Sequence, residues 1–192
     1  MKSFFSSYSY GMIKMFVNQF AISIFGSVLA MATATAGNDT LTLVVSIFAI
    51  LFYLFLIYTM TWEIGAKDRI SFDVGKKPYR PFTGLWISLI ANIPNFIIAI
   101  LYTIAFPKMT TATWAGNMAA ISKFISVIIQ GMYLGITATI KIGEVQMNQL
   151  WWTYIVIIIP SLVTSFLAYY LGHKNFRFFA KLTQKNMGNI SK

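Results

Sequence analysis

The sequence contains no cysteine, a single histidine and only five acidic residues among its 192 positions. Without cysteine there is no disulfide framework, thiolate metal site or cysteine nucleophile. Charged residues of both signs make up 10% of the chain, against about 25% in ordinary soluble domains. This scarcity of charge excludes an ordinary water-soluble domain and leaves few groups for acid–base chemistry.

The acidic residues and the histidine all lie outside the central part of every apolar stretch. They are Asp39, Glu63, Asp68, Asp73, Glu144 and His173. Such groups usually carry proton relays and cation coordination inside membranes, so neither a proton pump nor a proton-coupled antiporter is expected. We expect Glu63, Asp68 and Asp73 to be solvated charges. Their partners would be the nearby Lys67 and Arg69.

Motifs of enzyme chemistry are also lacking. The sequence shows no phosphate-cradling glycine loop, metal-ligand pair or nucleophile elbow. We therefore expect no enzymatic activity, no bound metal and no cofactor.

What the chain does contain is apolar sequence. Hydrophobic residues make up 57% of it, compared with roughly 45–50% in soluble domains. Five apolar segments each approach the length of about 20 residues that a membrane crossing needs. They cover residues 15–34, 41–62, 84–106, 119–140 and 150–172. The pattern predicts one multi-pass membrane domain over residues 1–192, an all-α integral membrane helical bundle with four to five transmembrane helices, one of them a candidate re-entrant segment.

Basic residues are concentrated in two polar stretches, the loop 63–83 and the C-terminal tail 173–192. By the positive-inside rule both should face the cytoplasm together with the N-terminus, in what we expect to be the plasma (cell) membrane. Five complete crossings would put the loop and the tail on opposite sides, so we expect one segment not to cross. Segment 119–140 is the candidate, because Lys123 and Gln130 interrupt its apolar run. The alternative is an ordinary fifth crossing with the tail outside.

The formal net charge is +10, and the basic residues flank apolar spans instead of covering a soluble face. We therefore expect anionic lipid headgroups as partners, and no nucleic acid. The expected headgroup contacts are Lys76, Lys77, Arg80, Arg177, Lys181 and Lys185. The three tail residues recur every four positions, as in a short amphipathic helix on a membrane surface. Alternatively, the last crossing simply continues into water with a solvated basic end.

Prolines occupy the middle of the third and fifth segments. Proline has no amide hydrogen and its ring crowds the preceding turn, so Pro94 and Pro160 should each kink a helix. Asn92 and Asn95 are three residues apart and share one helix face with Ser88. An unsatisfied buried amide costs roughly 2–7 kcal/mol, so these side chains need partners inside the bundle.

Two hypotheses account for the polar residues within the apolar segments. In the first, the protein is a membrane component of a transport system that binds a neutral or weakly polar solute near the bilayer midplane. The expected binding residues are Asn92, Asn95, Gln130, Ser161, Asn18 and Gln19. In the second, the protein is a non-catalytic accessory or scaffold subunit that binds a partner membrane protein or transporter subunits. A polar cavity lined by the asparagines favours the first hypothesis, and direct contacts between all these side chains favour the second.

Overall fold

The computed structural model of the protein describes residues 2–76 and 78–176. Within these ranges eight α-helices follow one another, and a two-stranded antiparallel hairpin comes after the sixth. The helices are α1 (Lys2–Thr35), α2 (Asp39–Asp73), α3 (Thr83–Ala91), α4 (Ile93–Ala105), α5 (Thr113–Gln130), α6 (Leu134–Thr139), α7 (Thr153–Val156) and α8 (Ile159–His173). The hairpin pairs β1 (Lys141–Ile142) with β2 (Val145–Gln146), and 3-10 turns cover Phe106–Lys108, Gly131–Tyr133 and Met147–Gln149.

Four helical stretches are long and apolar enough to cross a membrane. They are Phe4–Thr35, Asp39–Asp73, Thr113–Thr139 and Thr153–His173. The helices α3 and α4 pass the same test together but are bent by 56° where they meet. The chain is therefore an all-α, multi-pass integral membrane protein with four to five candidate spans, as the sequence predicts.

The first two helices extend well beyond their apolar segments. Helix α1 begins at Lys2 instead of residue 15, and α2 continues to Asp73, so half of the expected loop 63–83 is helical. Hydropathy marks only the apolar part of a helix. The polar end of α2 is supported by two ion pairs of i,i+4 spacing, each 2.8 Å long, which stabilise a helix in water. They join Glu63 to Lys67 and Arg69 to Asp73.

Both proline-containing segments are interrupted just before the proline. Helix α3 ends at Ala91 and α4 restarts with Pro94 in its first turn. Helix α7 ends at Val156, and α8 restarts with Pro160 in the same position. Proline suits the first turn of a helix, where its missing amide hydrogen would have no partner. The predicted kink in the third segment is confirmed by its bend of 56°, and the fifth segment is interrupted at the predicted place.

Glycines let α8 lie directly against α2. A Cβ atom at Gly65 would meet the carbonyl oxygen of Tyr169, and one at Gly172 would meet the carbonyl oxygen of Trp62. In lipid, small residues at such crossings allow two backbones to approach closely. The reciprocal pair fixes the position of α8 along α2.

One end of the bundle, called here the Asp68 end, collects the start of α1, the end of α2 and the end of α8. The hydroxyls of Tyr8 and Tyr169 both donate to Oδ2 of Asp68, at 2.6 Å and 3.0 Å. The start of α3 lies there too, because a Cβ at Gly84 would meet the side chain of Tyr169. The turn between α1 and α2 lies at the opposite end, where Thr42 donates to the hydroxyl of Thr33 at 2.9 Å.

The fourth segment starts and finishes at that opposite end. Helix α5 begins by packing against the end of α4 and the start of α7, in a cluster containing Ala105, Ala115 and Tyr154. Helix α6 ends the segment, and a Cβ at its Gly135 would contact Thr42. The segment is interrupted at Gln130, whose φ of −127° and ψ of 14° leave the helical range. Its length allows a crossing, but the placement of its two ends agrees with a segment that turns back. Its failure to cross stays a prediction.

Candidate functional site

A central polar cluster lies where the third segment breaks. It contains Gln19, Tyr53, Asn92, Asn95, Gln130 and Ser161. Asn92 is almost fully buried, and its Nδ2 donates to the carbonyl of Ser88 at 2.9 Å, to the hydroxyl of Ser88 at 3.3 Å and to the hydroxyl of Ser161 at 3.1 Å. Nδ2 of Asn95 donates to Oδ1 of Asn92 at 2.7 Å. The asparagines therefore tie the break between α3 and α4 to α8.

The first and fourth segments reach the same cluster through glutamines. Nε2 of Gln19 donates to the carbonyl of Ile129 at 2.9 Å, and its Oε1 accepts from the hydroxyl of Tyr53 at 3.3 Å. Oε1 of Gln130 accepts from the hydroxyl of Ser126 at 3.1 Å. Asn18 is half-buried on α1 and does not line the cluster. Five of the six expected binding residues are therefore brought together.

Three buried polar atoms around this cluster have no hydrogen-bond partner among the described residues. They are Oδ1 of Asn95, Nε2 of Gln130 and the hydroxyl of Tyr133. The cavity between the cluster's side chains measures about 10 Å³. That is roughly the space needed for one water molecule. The centre of the cluster is thus built mostly of direct contacts and has no room for a solute.

A larger space, called here the side cavity, opens beside the cluster and measures about 170 Å³. It lies between α5, α6, the 3-10 turn before α7, and α7 itself. Its polar lining includes Lys123, Ser126, Gln130, Tyr133, Asn148 and Thr153. Gln130 and Tyr133 line both the side cavity and the central cavity. Ile157 lines both spaces as well, so these three side chains separate the side cavity from the central cavity.

Three residues that line the side cavity carry polar atoms without a hydrogen-bond partner among the described residues. The amide nitrogen of Gln130 can donate, the amide oxygen of Asn148 can accept, and the hydroxyl of Tyr133 can do both. All three atoms are buried and without a partner among the described residues. The ammonium of Lys123 stands 5.5 Å from the centre of the Tyr102 ring. The arrangement can bind a small polar molecule but offers no nucleophile–base pair.

The sequence identifies this site only in part. Gln130 stands out because an amide in an apolar run needs a partner, and Lys123 stands out as a charge. Tyr133 carries no such signal because tyrosine is common in membrane helices, and Asn148 lies in a connection where asparagine is ordinary. Only the fold shows that both residues face one cavity.

Asp68 differs from its expected role as a solvated charge. Only 8% of its surface is exposed, and it accepts hydrogen bonds from two tyrosines. The cause is the extension of α2, which places Asp68 on the helix face that packs against α1 and α8. The expected local pairs of Glu63 and Asp73 are confirmed, with Lys67 and Arg69 respectively. In residues 2–76 and 78–176, no three potential metal-ligating side chains lie together.

The expected headgroup residues are described in part. Lys76 and Arg80 are exposed in the connection after α2, near the Asp68 end. Lys77, Arg177, Lys181 and Lys185 lie outside the described residues, as does most of the tail 173–192. Lipid contact follows from the membrane helices themselves. The choice of anionic headgroups stays a prediction.

The fold defines a multi-pass integral membrane protein built as a helical bundle. No protein-family model, curated protein or solved structure matches the chain.

Proposed function

We propose that the protein is a membrane component of a transport system and binds a small polar solute in the side cavity. The observation that carries this proposal is the convergence of Gln130, Tyr133 and Asn148, which line one space of about 170 Å³ and each carry a buried polar atom without a partner among the described residues. Buried polar atoms normally have partners, and each one left without a partner costs free energy. A bound solute would supply those partners.

The size of the cavity limits the solute. Sites for drug-sized ligands measure about 300–1,000 Å³. The side cavity, at about 170 Å³, is smaller. It suits a molecule of a few non-hydrogen atoms. The solute would bind beside the central polar cluster, and moving further inward would require Gln130, Tyr133 and Ile157 to move aside.

Binding is tested with the purified protein in lipid nanodiscs, using acetamide, propionamide, propionate and glycerol as probes. A ligand that binds the folded state raises the unfolding temperature. We expect at least one probe to raise it, and the effect to be lost in Gln130→Leu. The matched control is Asn18→Leu, because Asn18 lies outside both cavities. If no probe changes the unfolding temperature at high millimolar concentration, the proposal is wrong.

A second candidate is the accessory or scaffold subunit that binds a partner membrane protein. It is favoured by the direct hydrogen bonds among Asn92, Asn95 and Ser161, which leave no space for a solute between them. Under this proposal, no probe binds and the protein is recovered with a second membrane protein after mild detergent extraction and crosslinking. Recovery as a lone chain would count against it.

We also propose an orientation in which the Asp68 end faces the cytoplasm of a cell with the protein in its plasma membrane. The support is that the exposed basic residues Lys76 and Arg80 lie near this end, together with the positive-inside rule. These side chains would then contact anionic headgroups, which attract juxtamembrane basic residues by about 1 kcal/mol each.

A further inference from the structure

We infer that the solute bound in the side cavity is a short-chain carboxylate, and that Lys123 is the residue that recognises its charge. The inference rests on the proposed function, because it names the chemical class of the solute for the same site. It replaces the neutral solute expected from the sequence with an anion.

The first observation is the environment of Lys123. Its side chain is half-buried on α5 and lines the side cavity beside the Tyr102 ring. The ion pairs found in the described ranges join other residues, Lys67 with Glu63 and Arg69 with Asp73. No acidic side chain lines the side cavity. A charge within a membrane segment is costly unless it is paired or reaches water, so an anionic ligand would stabilise Lys123.

The second observation is the set of donors around it. Gln130 and Tyr133 belong to the same lining and are only 4% and 7% exposed. Nε2 of Gln130 and the hydroxyl of Tyr133 have no partner among the described residues, so a small side-chain rotation would let both donate to a bound solute. Two neutral donors and an ammonium match the acceptor-only oxygens of a carboxylate. Hydrogen bonds with ionised partners are roughly twice as strong as neutral ones. A carboxylate therefore uses these three donors better than an amide does. It cannot donate to the amide oxygen of Asn148, which would take its hydrogen bond from a water molecule bound beside the solute.

The remaining lining sets the length of the solute. Val127, Leu134 and Ile157 give the side cavity apolar walls. An aliphatic chain of about two to four carbons suits these walls and the limited volume, because its methylene groups gain by leaving water. A phosphate ion suits them less well. It carries more charge, has no apolar part and would meet only one basic side chain, Lys123.

The experiment compares propionate with propionamide, which have nearly the same shape but differ in charge. Binding is measured by calorimetry on the protein in nanodiscs of zwitterionic lipid. We expect propionate to bind at least tenfold more tightly than propionamide. Lys123→Met should weaken propionate binding at least tenfold and so remove that preference, whereas Lys123→Arg should retain it. The matched control is Lys108→Met, because Lys108 lies in the 3-10 turn after α4 and does not line the cavity.

The outcomes separate this inference from the proposed function. If both probes bind equally well and Gln130→Leu weakens both, the site stands and the inference about charge is wrong. If propionate is preferred but Lys123→Met binds it normally, Lys123 merely extends toward lipid headgroups and the inference is again overturned. If neither probe nor any neutral solute binds, the proposed function itself fails. Lys123→Arg keeps the test decisive should Lys123→Met fail to fold.

Discussion

Asp68 shows how a single side chain joins three helices. It belongs to α2, and its carboxylate accepts hydrogen bonds from Tyr8 of α1 and Tyr169 of α8. Both tyrosines are also largely buried. The carboxylate therefore satisfies two buried donors at once.

Replacing Asp68 by leucine should therefore destabilise the protein. Each buried donor left without a partner costs about 1–3 kcal/mol, so the unfolding temperature of the detergent-solubilised protein should fall clearly. Asp68→Asn keeps an acceptor oxygen and should lower the unfolding temperature less than Asp68→Leu does. The control is Asp73→Asn, whose exposed ion pair with Arg69 is worth about 0–1 kcal/mol. If Asp68→Leu and Asp73→Asn lowered the unfolding temperature equally, this explanation of the role of Asp68 would be contradicted.

The buried polar residues show how much of a site can be predicted from the sequence. Asn92, Asn95, Gln130 and Ser161 could be predicted because polar groups inside apolar runs need partners, and the fold does bring them together. Asp68 could not, because its burial depends on how far α2 continues past the apolar segment. Hydropathy contains no information about that extension.

The break between α3 and α4 is an element whose position the sequence does reveal. Pro94 lacks an amide hydrogen, so the helix cannot continue regularly through it. The structure adds a second cause. Asn92 sits at the break and bonds to Ser161 of α8. Pro94 and Asn92 are therefore both placed to cause the bend of 56° between α3 and α4.

Spin labels separate the two causes of the bend. The chain lacks cysteine, so labels can be placed on Trp86→Cys and Ile104→Cys, two exposed positions in α3 and α4. Pro94→Ala should let the pair straighten and lengthen the distance between the labels by about 3 Å, given a rise of about 1.5 Å per residue. Pro160→Ala serves as the control and should leave the distance unchanged. An unchanged distance in Pro94→Ala would assign the bend to the contacts of Asn92 instead.

The contact of α2 with α8 depends on glycine. At Gly65 an added Cβ would overlap the carbonyl oxygen of Tyr169. Because a carbonyl cannot rotate away, Gly65→Ala should push the helices apart and cost about 1–3 kcal/mol, as overpacking usually does. The measurement is thermal unfolding in nanodiscs. The control is Gly116→Ala on α5, where the carbonyl oxygen of Met109 would lie 3.2 Å from the new Cβ. If Gly65→Ala lowered the unfolding temperature less than Gly116→Ala, the close packing of α8 on Gly65 would be contradicted.

The arrangement of the whole bundle bears on its orientation in the membrane. The start of α1, the end of α2 and the end of α8 meet at the Asp68 end, through Tyr8, Asp68 and Tyr169. From the start of α3 to the end of α8 the chain passes three apolar segments and returns to the end it left. With three segments, such a return agrees with the prediction that one of them does not cross. The charge distribution in the sequence leads to the same prediction. Only the contacts show that the fourth segment begins and ends at the same end of the bundle, the end opposite the Asp68 end.

Cysteine labelling tests this arrangement in intact cells, again because the chain has no cysteine of its own. Glu144→Cys, in the exposed turn between β1 and β2, should react with a membrane-impermeant maleimide added outside. Lys76→Cys, beyond the Asp68 end, and Ser191→Cys, at the C-terminus, should react only after the cells are permeabilised. The permeabilised sample is the control for reactivity at each site. If Ser191→Cys reacts from outside while Lys76→Cys does not, the fourth segment crosses completely, because the loop and the tail then lie on opposite sides of the membrane.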